Sequence, residues 1–404
     1  MPTPLWRNRD FMLLQAGQLL STLGSGLSGI AYPLLALALT GSAAKAGYVG
    51  AVRFLPLVLF ALPAGVAADR LDRRLVMIAS DVAGATSVGL LAALAITHHA
   101  TLLALLAVAF VDSTSSVFFR AGNSGAFRAV VPAEQLADAS SVSMARASVV
   151  SLSSGPIGGA LFGIARSLPF LTDAISYAFS TVSLLLMRTR FQEERRPEAR
   201  TDLREGLAFF WQMPFLRTTV SMIAVSNFAA LGVPLTIIVL AKRHGISSVG
   251  IGALISVIGA ATLLGSIASP LLRRMFPMRA ILLSEYWMAS VYALFLAFPS
   301  VYVLVGCVAL HAFTFPNTDS AVAAYSYTLI PDRLLGRAMS ASNTIRVAAG
   351  PLGPLVAGLL LTHASPRITV LTLTAPVVVA ALLGTLSPSM RDLPSLSASP
   401  AAAD

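Results

Sequence analysis

Charge is what this chain lacks most. Only 11% of its 404 residues are Asp, Glu, Lys or Arg, against about 25% in a soluble domain. Cysteine is nearly absent too. Cys307 stands alone inside an apolar run, so no intrachain disulfide can form and no metal cluster is expected. There is no glycine-rich nucleotide loop, which argues against direct ATP drive. His98 and His99 form a pair with no third ligand beside it, and no nucleophile arrangement stands out. The chain is therefore not expected to be an enzyme, and no cofactor is expected. Arg7, Arg9 and Asp10 precede the first apolar run without a small-residue cleavage site, so no removable signal peptide is expected.

What the chain has is apolar sequence, 56% of it. Runs of membrane length recur from end to end. They predict an all-α membrane protein with twelve spans near 11–38, 47–68, 75–97, 101–121, 139–165, 168–188, 216–241, 249–271, 279–299, 301–328, 339–363 and 366–387. The net charge of +10 is not a nucleic-acid signal, because the arginines sit in short loops between apolar runs. Alternate loops differ sharply. One set holds Arg70, Arg73, Arg74, Arg120, Arg128, Arg188, Arg190, Arg195, Arg196, Arg273, Arg274, Arg279, Arg333 and Arg337, with Arg7, Arg9 and Arg391 at the ends. The other set holds only Lys45, Arg166, Lys242, Arg243 and Arg367. Positive charge stays inside. A multi-pass cell-membrane protein with both termini cytoplasmic is expected.

A charged hairpin between the second and third runs is the sharpest motif. It reads Gly65, three residues, Asp69-Arg70, Leu71-Asp72, then Arg73-Arg74. This spacing resembles the signature loop between helices 2 and 3 of the major facilitator superfamily. That resemblance implies two six-helix bundles related by a pseudo-two-fold. It also implies a gating latch built from Gly65, Asp69, Arg70, Asp72, Arg73 and Arg74, in which Asp69 stabilises the outward-open state with Arg70 and Arg73 as partners. Gly65 is expected to let its helix pack closely. Asp72 departs from the usual glycine and points to the macrolide-efflux and enterobactin-exporter branch. Arg7-Asn8-Arg9-Asp10-Phe11, Asp173-Ala174-Ile175-Ser176-Tyr177 and Leu203-Arg204-Glu205-Gly206-Leu207 fit that branch. The hairpin recurs about 200 residues later, where Gly265, Ala268, Leu271, Arg273 and Arg274 match, while Ser269 and Leu272 replace the aspartates.

The expected organisation is an N-terminal bundle over 1–190, a cytoplasmic linker over 191–213, a C-terminal bundle over 214–390 and a disordered tail over 391–404. Asp202 and Glu205 resemble a capping box, and Leu203, Leu207 and Phe210 would share one face of a short amphipathic helix in the linker. Helix 5 carries Gly155-Pro156 with Gly159, a pattern that the family resemblance associates with antiport. Gly350-Pro351 and Gly353-Pro354 repeat it loosely in helix 11. Kinks or close packing are expected at both places.

Ionisable residues inside a membrane are costly, so each is a functional candidate. Asp112, near the middle of helix 4, is the first candidate for proton coupling, and Asp319 in helix 10 is the second. An ion pair of Asp112 with Arg146 or Arg346 is the structural alternative. Asp81 and Glu285 are expected to pair with loop arginines, and Asp173 with Arg166. Gln18, Phe118, Asn227, His311, Phe315 and Asn317 are candidates for a substrate cavity with aromatic walls and few polar groups. Together these features predict a secondary active exporter of hydrophobic or amphipathic small molecules, working as a monomer in the lipid bilayer by proton antiport. Sodium stays open as the coupling ion. An importer or lipid translocator of the same fold, and a non-transporting scaffold or sensor, are the rival readings.

Overall fold

The computed structural model describes residues 5–191, 208, 211–330 and 332–391. The expected linker helix around Asp202 and Phe210 and the tail after Arg391 lie outside them. Among the described residues, twelve helices are long and apolar enough to cross a membrane, and no strand is present. Lipid offers no partners to backbone groups, so spans must satisfy their own hydrogen bonds within helices.

The spans are α1 (Arg9–Thr40), α2 (Ala43–Arg70), α3 (Arg73–Ile96), α4 (Leu102–Val130), α5 (Leu136–Ile164), α6 (Leu168–Leu186), α7 (Pro214–Arg243), α8 (Ser248–Met275), α9a (Met278–Met288) with α9b (Ala293–Ala297), α10 (Val301–Leu329), α11a (Asp332–Ala348) with α11b (Leu352–His363), and α12 (Pro366–Leu386). Several helices outrun their apolar cores, most clearly α4, which continues to Val130. Two spans are interrupted. A 3₁₀ turn over Ala289–Tyr292 joins α9a to α9b, and Gly350-Pro351 lies in the break between α11a and α11b. Pro156, by contrast, is carried inside an unbroken α5.

The helices fall into two compact units. The first is Met1–Pro197 with Ala241–Ser256, the second Glu198–Leu240 with Val257–Asp404. In the first unit α1 packs on α5 and α6, α4 on α2 and α3, and α3 on α6. One end of this unit is clamped by polar contacts around a small core. Asn8 caps α1 by accepting from the Phe11 amide at 3.1 Å and donates to the Val130 carbonyl at 2.9 Å. Asp10 accepts from the Arg188 and Thr189 amides at 3.0 and 2.7 Å and from the Thr189 hydroxyl at 2.6 Å. Phe11, Leu14, Met77, Ala126, Val130, Leu184, Met187 and Phe191 form the apolar cluster beneath. At the opposite end, α1 turns into α2 at Gly41, whose φ of 64° suits glycine.

Candidate functional site

Asp112 is 3% exposed in α4, and two tyrosines hold it. Tyr177 of α6 donates its phenol hydrogen to Oδ1 at 2.8 Å. Tyr32 of α1 donates to Oδ2 at 3.1 Å. Tyr32 is braced edge-on by Phe170, with ring centroids 5.2 Å apart. Tyr177 lies so close to α3 that a Cβ on Gly84 would stand 3.0 Å from its ring. Arg53 of α2 supplies the cation. Its guanidinium sits 4.6 Å from the Tyr32 ring centroid and donates to the Gly29 carbonyl at 3.1 Å. Its field reaches both Asp112 and Asp173.

Asp173 is fully buried on the same face of α6 as Tyr177, four residues away. The Ser28 hydroxyl donates to its Oδ2 at 2.6 Å and Ser25 to Oδ1 at 3.3 Å. Ser25 is also 3.3 Å from the Tyr177 hydroxyl. Gly24 makes this meeting of α1 and α6 possible, because a Cβ there would stand 2.8 Å from Asp173 Oδ1 and from Ser176 Cβ.

Several expected pairings are corrected here. Asp173 is held by serines, not by Arg166. Asp112 does not pair with Arg146, which donates instead to Gln15 Oε1 at 2.7 Å, nor with Arg346, which is ion-paired to Asp319 in the second unit. Asp81 is fully buried beside Ser180 and away from the loop arginines. Glu285 accepts from Ser226 at 2.6 Å, with His311 Nε2 at 3.9 Å. A cation excluded from each site is replaced by hydroxyl donors, which satisfy oxygens without adding charge.

The first unit also holds a cavity of about 550 Å³. Gln15, Gln18, Asn123, Ser124, Arg128, Ser140, Ser143 and Arg146 line it, with Leu14, Phe127, Leu136 and Met144. Gln18 is thus placed as expected, but the wall is more polar and less aromatic than predicted. Phe118 is not part of it and packs with Phe60, centroids 6.2 Å apart. In the second unit Asn227 donates to the Arg346 carbonyl at 2.8 Å. Asn317 donates to the Phe313 carbonyl at 3.1 Å and keeps a buried Oδ1 without a partner. His311 Nδ1 faces the Tyr292 hydroxyl at 3.3 Å. Phe315 is exposed.

The charged hairpin divides its labour. Asp72 is the N-cap of α3, accepting from the Arg74 and Leu75 amides at 2.8 and 3.3 Å. Arg73 donates to the Ala68 and Phe191 carbonyls, each at 3.2 Å. Arg74 gathers the carbonyls of Leu184, Leu185 and Met187 at the end of α6. The Asp69 side chain is 77% exposed, 3.7 Å from Arg73, and borders a small polar pocket with Ser124 and Arg128. Arg70 is exposed. Gly65 corrects the close-packing expectation, since a Cβ there meets nothing within 4 Å. Its counterpart Gly265 does need to be glycine, because a Cβ would collide with the Phe313 carbonyl.

The Gly-Pro pieces are close-approach points. In the first unit a Cβ on Gly155 would strike the Gly252 carbonyl of α8, one on Gly252 would strike the Gly155 carbonyl, and one on Gly159 would strike that of Ser248. In the second, a Cβ on Gly353 would strike the Phe228 carbonyl of α7, with Pro354 buried beside it.

Sequence reasoning missed Arg53, Tyr32, Tyr177 and the serines. The signals were present: Arg53 is the one charge between Gly47 and Ala67, and Asp173, Ser176 and Tyr177 share one helical face.

Residues 16–286 match the family model described as Major Facilitator Superfamily. The chain is 26% identical over 400 residues to the multidrug efflux pump Tap of Mycolicibacterium fortuitum, covering 95% of this chain and 96% of that one. It is 23% identical over 207 residues to macrolide efflux protein A of Streptococcus pyogenes, 50% of this chain and 51% of that one. A crystal structure of a mutant of the nucleoside transporter NupG superposes with a TM-score of 0.76 at 13% identity, over 92% of this chain and 98% of that one.

Proposed function

Because the chain belongs to the Major Facilitator Superfamily, we propose that it exports hydrophobic or amphipathic small molecules by alternating access, in exchange for protons. The observation that supports this best is a buried carboxylate, Asp112, in a chain whose relative over 95% of its length is named a multidrug efflux pump. A carboxylate enclosed in lipid-embedded protein is costly to keep unless it works. Asp112 carries the proton, held by Tyr32 and Tyr177 in both of its protonation states. Asp319 is the second choice, since Arg346 already neutralises it. The polar cavity around Gln15, Gln18 and Arg146 offers amides, hydroxyls and guanidinium groups beside Leu14, Phe127 and Met144. That mixture suits an amphipathic molecule rich in hydrogen-bond acceptors. Asp69 in the hairpin acts as the gating latch, and the helix 5 glycines let α5 lie close against α8. Both termini lie in the cytoplasm, and the protein works as a monomer.

Efflux of labelled compounds from proteoliposomes with an imposed pH difference tests the reading. Asp112→Asn is expected to abolish concentrative efflux while sparing downhill exchange of an uncharged substrate. The amide keeps the size of the carboxyl but cannot titrate. Full concentrative activity in a folded Asp112→Asn protein would remove Asp112 as the carrier and shift the assignment to Asp319.

A further inference from the structure

The acidic network contains two carboxylates and one cation. Asp112 and Asp173 are both buried, and Arg53 is the only side chain with a fixed positive charge whose field acts on both. Tyr32 from α1, Tyr177 from α6 and the serines of α1 face the pair as neutral hydroxyls. From α3 comes Asp81, beside Ser180 and about one turn along α6 from Tyr177. From α5 comes Arg146, which is engaged by Gln15. With both carboxylates ionised, one Arg53 would leave a net negative charge in a water-poor interior.

The hydroxyl hydrogens give a second, independent constraint. The chain of oxygens runs Asp173 Oδ1, Ser25 Oγ, Tyr177 Oη, Asp112 Oδ1, with separations of 3.3, 3.3 and 2.8 Å. Ser25 and Tyr177 carry one hydroxyl hydrogen each. Three links need three hydrogens, so the third must belong to a carboxyl. Suppose Asp173 holds it. Asp173 then donates to Ser25, Ser25 to Tyr177, and Tyr177 to ionised Asp112. Suppose Asp112 holds it. Every donor reverses, and Ser25 donates to ionised Asp173. Each state is fully bonded, and no third arrangement with one proton is.

Resting on the antiport reading above, we propose that Asp112 and Asp173 share a single proton through a hydroxyl wire formed by Tyr177 and Ser25, with Arg53 as the fixed counter-charge. The transfer balances. Asp173 passes its hydrogen to Ser25 Oγ, Ser25 passes its own to Tyr177 Oη, and Tyr177 passes its own to Asp112 Oδ1. Asp173 ends ionised and Asp112 ends neutral, with net charge unchanged. The two 3.3 Å links exceed the ~2.8 Å preferred by hydroxyl donors. Both involve Ser25, so a small shift of α1 against α6 makes or breaks the wire. The pair titrates as one unit.

The test counts protonated carboxyls by the infrared C=O stretch of the acid form, on the purified full chain in lipid at neutral pH. Asp112→Asn and Asp173→Asn are each expected to lose the band of one carboxyl relative to the unaltered protein, because the remaining aspartate ionises against Arg53. Arg53→Gln is expected to gain one. A full band in Asp112→Asn would mean a proton fixed on Asp173 alone and would overturn the sharing. No change in any variant would overturn it too. A variant lost to misfolding is replaced by Asp112→Ser or Asp173→Ser, with the same loss expected. Efflux driven by a pH difference is measured in parallel on the unaltered protein. Efflux with the wrong band pattern would overturn the wire and leave antiport standing. The expected pattern without pH-driven efflux would keep the shared proton and overturn antiport.

Discussion

Asp69 and Asp72 show how little spacing says about a single side chain. They stand three residues apart in one charged turn. Asp72 is consumed locally, because two amides at the start of α3 need an acceptor. Asp69 reaches only Arg73, at 3.7 Å, and is otherwise in solvent. The two therefore separate by experiment. Asp72→Ala is expected to lower stability by about 1 kcal/mol, the usual cost of a lost N-cap, read as a lower melting temperature in detergent. Asp69→Asn is expected to leave the melting temperature unchanged and to slow transport, through a weakened outward-open state. Equal melting shifts with unaltered transport in both would end the latch assignment. The same residue-scale logic separates Asp112 from Asp319. One is surrounded by neutral donors and keeps its freedom to exchange a proton, while the other is matched by Arg346.

Elements meet here where side chains are absent. α5 and α8 come together through backbone at Gly155, Gly159, Ser248 and Gly252. α1 meets α6 at Gly24 in the same manner. Close backbone approach replaces the hydrophobic drive that lipid cannot supply. Gly252→Ala is expected to lower the melting temperature and reduce transport, since its Cβ faces the Gly155 carbonyl and neither backbone can yield cheaply. Gly65→Ala is the contrasting variant, expected to melt like the unaltered protein because its Cβ enters open space. Matching behaviour of the two would contradict the packing described. Helix ends are handled by charge. Arg74 serves three carbonyls at the end of α6, where cations favour the helix dipole.

For the whole molecule, the placement of arginines in alternate loops sets the expected topology. Both termini and the segment joining the sixth and seventh spans are expected inside the cell. Single cysteines at Ala44 and Ala199, in a background where buried Cys307 is replaced by serine, provide the measurement. An impermeant thiol reagent applied to intact cells should label position 44 and spare position 199. The reverse pattern would invert the topology.

Composition and run length alone determined that this is a membrane protein of twelve helices, because lipid leaves no other use for so many long uncharged segments. The hairpin spacing determined the family. The sequence also pointed at Asp112, since a carboxylate in mid-span is conspicuous. It did not reveal what surrounds Asp112. Arg53, Tyr32, Tyr177 and Asp173 come from α2, α1 and α6, and only packing brings them within hydrogen-bond reach. Opposite charges in a sequence suggest pairs, which is why Arg146 and Arg166 looked like partners. Tertiary structure decided otherwise: a guanidinium reaches only a few ångströms from its own helix, and the helices beside Asp112 and Asp173 present hydroxyls.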